Sequence, residues 1–327
     1  MNKILLFSNG EKIGDAIIKL PLLNEIKRRL PNYHLTWVTN SGSTAYNNQL
    51  KNIANKYIDT IIEKVDLNPF FWKPISLKYD FKDEYFDYIL DTQKAVYRTI
   101  ALKRIKCGKF ISASAKGFFS TGVIKETKKF RSYYLEDLYD LLDLIKQEDI
   151  DNEFKIEIPN LLQEYLKNLF KSNQKYIGIA PGAGEENKIW PLSKFIEIGK
   201  FYEDKNFNIV LYLGPNEANL KEKLIYEFPN AIFPEEVIKG YSNIEIVMGS
   251  TKFLNCAITN DSGISHMLST KYCPLIKLFG PKDSNKFTPQ NNSLIAISSN
   301  EYNSKDVGQI PVDRVISEIN KVLRKNV

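Results

Sequence analysis

A chain of 327 residues, 43% of them hydrophobic, is long enough for two domains of roughly 150 residues each, and it has no uncharged apolar run of about 18 residues that could cross a bilayer as a helix. Three unclustered cysteines without a CxxC and only two histidines argue against a disulfide framework, a zinc site or a His-rich metal centre. The net charge of +6 lies wholly in residues 1–150, and residues 101–131 hold nine lysines and arginines against the single acid Glu126, so an anionic partner is expected there.

The apolar run Ile4–Phe7 is too short for a signal peptide and reads as a first buried strand, which gives the expectation of a cytoplasmic protein. Asn9–Asp15 is a glycine-containing turn into a helix whose apolar positions, Ile17, Leu20, Leu23, Ile26 and Leu30, recur at spacings of three and four. Pro21 should kink that helix or mark a late start. His34–Thr39 and Tyr88–Asp91 read as further strands, with a helix after Gln93 and an amphipathic helix over 132–145; residues 63–87 are less regular. Phe154–Pro159 alternates like a connecting strand, and the domain boundary is expected within 155–172, giving domains 1–160 and 161–327, with the C-terminal helix free to return to the first.

The second half repeats the rhythm. Tyr176–Ala180 is a strand, Pro181-Gly182-Ala183-Gly184 a turn, Ser193–Tyr202 a helix, and Asn208–Leu213 a strand closed by Gly214–Glu217. Residues 244–254 read as a helix, Cys256–Thr259 as a strand and Leu275–Phe279 as another. Alternating strands and helices in both halves give an α/β fold of two parallel-sheet, Rossmann-like domains, in which ligands sit beyond the carboxyl ends of the strands. Asp15 falls at such a rim. No GxGxxG is present, which disfavours a nicotinamide enzyme.

Thr259-Asn260-Asp261-Ser262-Gly263-Ile264-Ser265-His266 opens a helix directly after a strand, where unpaired backbone N–H groups make an anion cradle. Ser262 and Ser265 can add hydroxyl donors and Gly263 allows close approach, while Asp261 must hold something other than phosphate, such as a sugar hydroxyl. An ordinary N-capped helix with a surface histidine uses the same residue types. From the residues alone Asp15 reads first as a helix N-cap and Lys188 as a solvent lysine before a buried Trp190, and Glu217 can be an exposed acid at a helix start.

Four stretches together resemble the heptosyltransferases of lipopolysaccharide core synthesis, glycosyltransferase family 9: Gly14-Asp15 with its helix, Pro181-Gly182-Ala183 through Trp190-Pro191, Thr259 through His266, and Leu278-Phe279-Gly280-Pro281. The resemblance implies a GT-B fold with two domains facing a central cleft. It also implies an inverting, metal-independent transfer, without a cofactor, from a nucleotide sugar gripped mainly by the second domain. By this resemblance Asp15 is the general base, Lys188 meets the diphosphate, and Glu217 accepts the ribose hydroxyls. Gly14, Pro181, Gly182, Ala183, Asp261, Ser262, Gly263 and His266 line the donor site.

An ADP-sugar donor and an anionic glycolipid acceptor at the inner-membrane surface are implied, with Lys125, Lys128, Lys129 and Arg131 as candidates for the acceptor's phosphates. A UDP- or GDP-sugar donor and a catalytically inactive nucleotide-sugar binder are the alternatives. The basic run has too few interleaved aromatics for a nucleic-acid platform. Two departures from the family pattern stand out. Glu185 and Glu186 lie where hydroxyl-bearing residues are expected near the diphosphate, and Ile18-Lys19-Leu20-Pro21 replaces a small polar pair.

Overall fold

The computed structural model describes residues 1–122, 134–151, 155–269, 272–280 and 294–325. They form two units, Met1–Ile156 and Glu157–Val327, each built on a five-stranded sheet in which every pair is parallel. Strands covered on both faces must be apolar throughout, and Ile4, Leu5, Leu6 and Phe7 are all fully buried, as are Cys256, Ala257 and Ile258.

In the first unit β1 (Asn2–Ser8), β2 (Tyr33–Thr39), β3 (Thr60–Ile62), β4 (Tyr85–Asp91) and β5 (Lys106–Ser112) lie in the order β3-β2-β1-β4-β5. Helix α1 (Ile13–Arg29) runs unbroken through Pro21, so the proline neither delays nor ends it. Its last turn is lashed to the 134–148 segment by Arg29, which is 1% exposed and donates to Glu25 at 3.0 Å, Asp143 at 2.6 Å and the carbonyls of Lys146 and Glu148.

In the second unit β6 (Lys175–Ala180), β7 (Phe207–Leu211), β8 (Cys256–Asn260), β9 (Leu275–Phe279) and β10 (Leu294–Ser298) take the order β10-β9-β8-β6-β7. The C-terminal helix Val312–Lys325 sends Val315, Ile319 and Val322 into this unit's own core with Ile177, Ile258 and Ile276.

Two sequence expectations need correction. Residues 155–159, expected as a connecting strand, pair with no strand, although Ile156 and Ile158 are buried, and the helix Asn160–Leu169 follows. Within the basic run Lys106–Ser112 is the edge strand β5, with only Phe110, Ile111 and Ser112 buried, so its polar first half is the solvated edge of a sheet. The 244–254 segment divides into the helix Asn243–Ser250 and a 3-10 turn Thr251–Phe253.

Each sheet reverses its direction of growth once, between β1 and β4 in the first and between β6 and β8 in the second. Crevices at such switch points, beyond the carboxyl ends of the strands, are where open α/β sheets bind ligands. The turn carrying Asp15 follows β1; the Pro181–Gly184 turn and the Asp261–Gly263 turn follow β6 and β8.

Candidate functional site

The turn after β1 depends on a close approach of two backbones. Gly10 has φ +117°, and a Cβ there would lie 2.6 Å from the Cα of Gly42, in the loop after β2; the Gly42 amide donates to the Asn9 carbonyl at 2.8 Å. Glu11 then turns inward to a position 6% exposed. Its carboxylate accepts from Lys19 Nζ at 3.1 Å and Trp37 Nε1 at 3.2 Å.

Lys19, 3% exposed, lies with its ammonium 5.6 Å from the centroid of the Trp37 ring and 6.0 Å from that of Tyr134, and the Tyr46 hydroxyl donates to the Ala16 carbonyl at 2.8 Å. A charged pair this deep is stable only when its geometry is held, and here it fastens the turn to the first two coils of α1. The Ile18-Lys19 departure thus belongs to a clamp beneath the candidate base.

Asp15 stands in the first turn of α1, exposed. The N-cap position belongs to Lys12, which makes no side-chain capping bond, so the capping role is not the one Asp15 plays. No hydrogen bond or ion pair joins its carboxylate to the described residues, and it is close enough to the Tyr46 and Tyr134 phenols to help burial push both upward in pKa.

In the second unit the loops after β6 and β8 are tied by Asn260, fully buried, whose amide donates to the Pro181 carbonyl at 2.7 Å and whose oxygen accepts from the Trp190 amide at 3.1 Å. One side chain therefore fixes the Pro181–Ala183 turn, the Lys188–Trp190 stretch and the end of β8 together. Glu217 is brought to the same turn: a Cβ at Gly182 would lie 2.3 Å from its Cδ, and one at Gly214 would lie 2.4 Å from its Oε2. Glycines at the ends of β6 and β7 are what leave room for that carboxylate.

Lys188 is 8% exposed, not a solvent lysine, and its ammonium pairs with Glu185 at 2.7 Å. Of the two acids that depart from the family pattern, Glu185 engages the lysine that the resemblance assigns to the diphosphate. At the β8 turn Asp261, 9% exposed, pairs at 2.8 Å with Lys277 on β9. Lys277 is 1% exposed, and sequence reading passed it over as one polar residue within the strand Leu275–Phe279. A charged residue at the centre of an otherwise apolar strand was the signal available.

Burial, followed by the nearby Lys277 ammonium, pushes His266 down to about 3, with Asp261 opposing. The imidazole is therefore neutral at physiological pH and able to donate and accept hydrogen bonds. Ser262 Oγ is buried with no hydrogen-bond partner among the described residues, an orphan that a bound group would satisfy. Ser265 differs from the expectation, because its hydroxyl is already committed to the Ser262 carbonyl at 2.7 Å. Among the described residues, apart from its chain neighbours and its own helix backbone, no atom comes within 4 Å of a Cβ built at Gly263.

Lys125, Lys128, Lys129 and Arg131 lie outside the described residues. Among the described residues no three His, Cys, Asp or Glu side chains converge as a metal site, and no helix is long and apolar enough to cross a membrane.

The fold has known counterparts. The family model of glycosyltransferase family 9 (heptosyltransferase) matches residues 75–312. The chain belongs to glycosyltransferase family 9. It is 21% identical over 302 residues to the lipopolysaccharide core heptosyltransferase OpsX of Haemophilus influenzae, covering 90% of this chain and 83% of that one. A family 9 glycosyl transferase from Veillonella parvula superposes with a TM-score of 0.74 at 18% identity, covering 99% of this chain and 98% of the other. The E. coli heptosyltransferase WaaC with ADP-2-deoxy-2-fluoro heptose gives a TM-score of 0.66 at 17% identity over 98% and 99% of the two chains. The two-sheet architecture is thus GT-B, and the protein is a glycosyltransferase.

Proposed function

We propose that the protein transfers a heptose, or a closely related sugar, from an ADP-linked donor to a phosphorylated lipopolysaccharide-core acceptor on the cytoplasmic side of the membrane, by a single inverting displacement without a metal. The observation that carries the donor half is the set of side chains fixed at one switch point: Glu217 against Gly182 and Gly214, Lys188 in the Asn260-tied stretch, and Asp261, the orphan Ser262 hydroxyl and neutral His266 at the end of β8. Glu217 accepts the two ribose hydroxyls. Lys188, released from Glu185, balances charge on the diphosphate, and Asp261 and His266 orient the sugar. WaaC has been solved with ADP and with an ADP-heptose analogue, which favours adenine over uracil or guanine.

In the reaction an acceptor hydroxyl oxygen attacks the anomeric carbon while the bond from that carbon to the diphosphate oxygen breaks. The electron pair leaves with the diphosphate, and the hydroxyl proton passes to Asp15. One displacement from the face opposite the leaving group inverts the anomeric configuration. Asp15 suits the task because its carboxylate is exposed and accepts no hydrogen bond from the described residues. Lys125, Lys128, Lys129 and Arg131 are proposed contacts to the acceptor's phosphates.

Calorimetric titration with ADP, UDP and GDP tests the donor, with ADP expected to bind at least tenfold tighter; equal or reversed affinities would refute it. Asp15→Ala should keep ADP affinity and lose on the order of 10²- to 10⁴-fold in turnover. Unchanged turnover would remove Asp15 as the base, and strict Mg²⁺ dependence would overturn the metal-free displacement.

A further inference from the structure

Residues 65–78 of the first unit form a short hairpin that carries no part of the proposed sugar chemistry. Its base is rooted in the core: Val65 is fully buried and Leu67 is 6% exposed. Leu67 bridges Ser76 in antiparallel fashion, and the Asn68 amide donates to the Ile75 carbonyl at 2.8 Å. Its tip is the reverse of a core. Phe70, Phe71 and Trp72 are 41%, 84% and 65% exposed, and Leu77 is 87% exposed.

The three rings are ordered against one another, Phe70 stacked on Trp72 and Phe71 edge-on to it, both at 4.9 Å. Lys73 stands 5.7 Å over the Phe70 ring. Arg104 holds the tip rigid, donating to the carbonyls of Asn68 and Lys73 at 2.6 Å each and to that of Pro74 at 3.4 Å. Its neighbour Lys103 donates to the Phe119 carbonyl at 3.3 Å, at the root of a second exposed aromatic, Phe118, which is 82% exposed and packs edge-on to Phe119 at 5.3 Å. Two consecutive cations thus anchor two aromatic tips, and residues 103–122 contain Lys103, Arg104, Lys106, Lys109 and Lys116 and no acid.

We propose that the Phe70–Lys73 tip, with Phe118 beside the acid-free run, is the surface by which the protein docks on an anionic lipid bilayer, the rings entering the headgroup–acyl boundary and the cations meeting lipid phosphates. Exposed rings that cannot be buried by their own fold need another apolar environment. A narrow hairpin tip of amphipathic rings beside a lysine suits an interface with one apolar and one wet side, whereas a protein partner is met by a broad patch with a desolvated centre. The charge around the tips selects anionic lipid, at roughly fivefold in affinity for each cation near the surface. This docking needs no sugar transfer and stands or falls apart from the donor and acceptor assignments.

The molecule carries its own probe, because Trp37 and Trp190 are fully buried and Trp72 is the exposed tryptophan of the three. Adding vesicles of mixed phosphatidylglycerol and phosphatidylcholine to the full chain should shift tryptophan emission to the blue, and brominated acyl chains should quench it. Pure phosphatidylcholine should act far more weakly, and added salt should reverse much of the binding. In vesicle co-sedimentation Phe71→Ser/Trp72→Ser should lose about tenfold or more in partitioning, and Lys73→Ser/Lys116→Ser should lose it selectively on anionic vesicles.

Both double variants should keep wild-type urea midpoints and wild-type turnover on an acyl-free acceptor. Emission unchanged by lipid, or wild-type vesicle binding by Phe71→Ser/Trp72→Ser, would overturn the proposal. So would a blue shift that follows protein concentration without lipid, which would make the tip a contact between two copies of the chain.

Discussion

Replacing Lys277 by methionine tests how the β8 turn is held. The ammonium is 1% exposed and its partner carboxylate on Asp261 is 9% exposed, at 2.8 Å. Removing one member of a buried pair leaves the other charge desolvated and costs about 3–5 kcal/mol, a large share of a total stability of roughly 5–15 kcal/mol. Asp261→Asn in the same chain removes the stranded charge, so Asp261→Asn/Lys277→Met should recover about half or more of that loss, with a coupling energy of about 2–3 kcal/mol in the double-mutant cycle. Urea unfolding of the four proteins gives those numbers.

A second readout separates this pair from simple packing. His266 is held down to about 3 first by burial and then by Lys277, with Asp261 pulling upward, so Lys277→Met should raise its titration midpoint and Asp261→Asn should not. With two histidines in the chain, the imidazole signals of His34 and His266 are resolved by an NMR titration. A Lys277→Met protein with the wild-type urea midpoint, or a wild-type His266 that titrates near 6.5, would refute the reasoning.

The pH dependence of stability follows from the same histidine. Its folded pKa lies below the unfolded value, so between about 3 and 6.5 the unfolded chain binds the extra proton and stability falls as pH drops. Near pH 4.5 that amounts to at most about 2.7 kcal/mol, less where solvent reaches the ring; in urea unfolding His266→Gln should remove up to that much of the stability lost between neutral pH and pH 4.5, and an unchanged loss would count against it. Gly182→Ala should force the flexible Glu217 carboxylate aside, since the new Cβ would lie 2.3 Å from its Cδ. ADP affinity should fall roughly tenfold or more, with little change in the urea midpoint and no further loss on adding Glu217→Ala; an additive loss would separate the two residues. Lys19→Met should destabilise the first unit by about 3–5 kcal/mol through the stranded Glu11 carboxylate, with partial recovery in Glu11→Gln/Lys19→Met, and thermal or urea unfolding reads it directly.

What the sequence determined by itself was the local and periodic part of this protein. Apolar runs such as Ile4–Phe7 and Cys256–Thr259 declare strands wherever both faces are to be covered, and the spacing from Ile17 to Leu30 declares the first helix, because burial of one stripe is a local demand on the chain. The polar turns after β1, β6 and β8 were legible for the same reason, whereas Asp15, Lys188 and Glu217 stood out through the family resemblance and not through any local pattern.

Tertiary structure decided the partners. Nothing local in Lys106-Cys107-Gly108-Lys109 declares a strand, since an edge strand takes its hydrogen bonds from a neighbour distant in sequence, here β4. Lys19 and Lys277 look like solvent cations in a one-dimensional reading; only the fold sets Glu11 and Asp261 beside them, at separations of eight and sixteen residues, and only burial turns those meetings from weak surface contacts into strong constraints. The same holds for the glycines that admit Glu217 and for the asparagine that ties two loops. A contact between residues far apart in the chain leaves no periodic trace, because its energy depends on the low dielectric and close packing that exist once the sheets have formed.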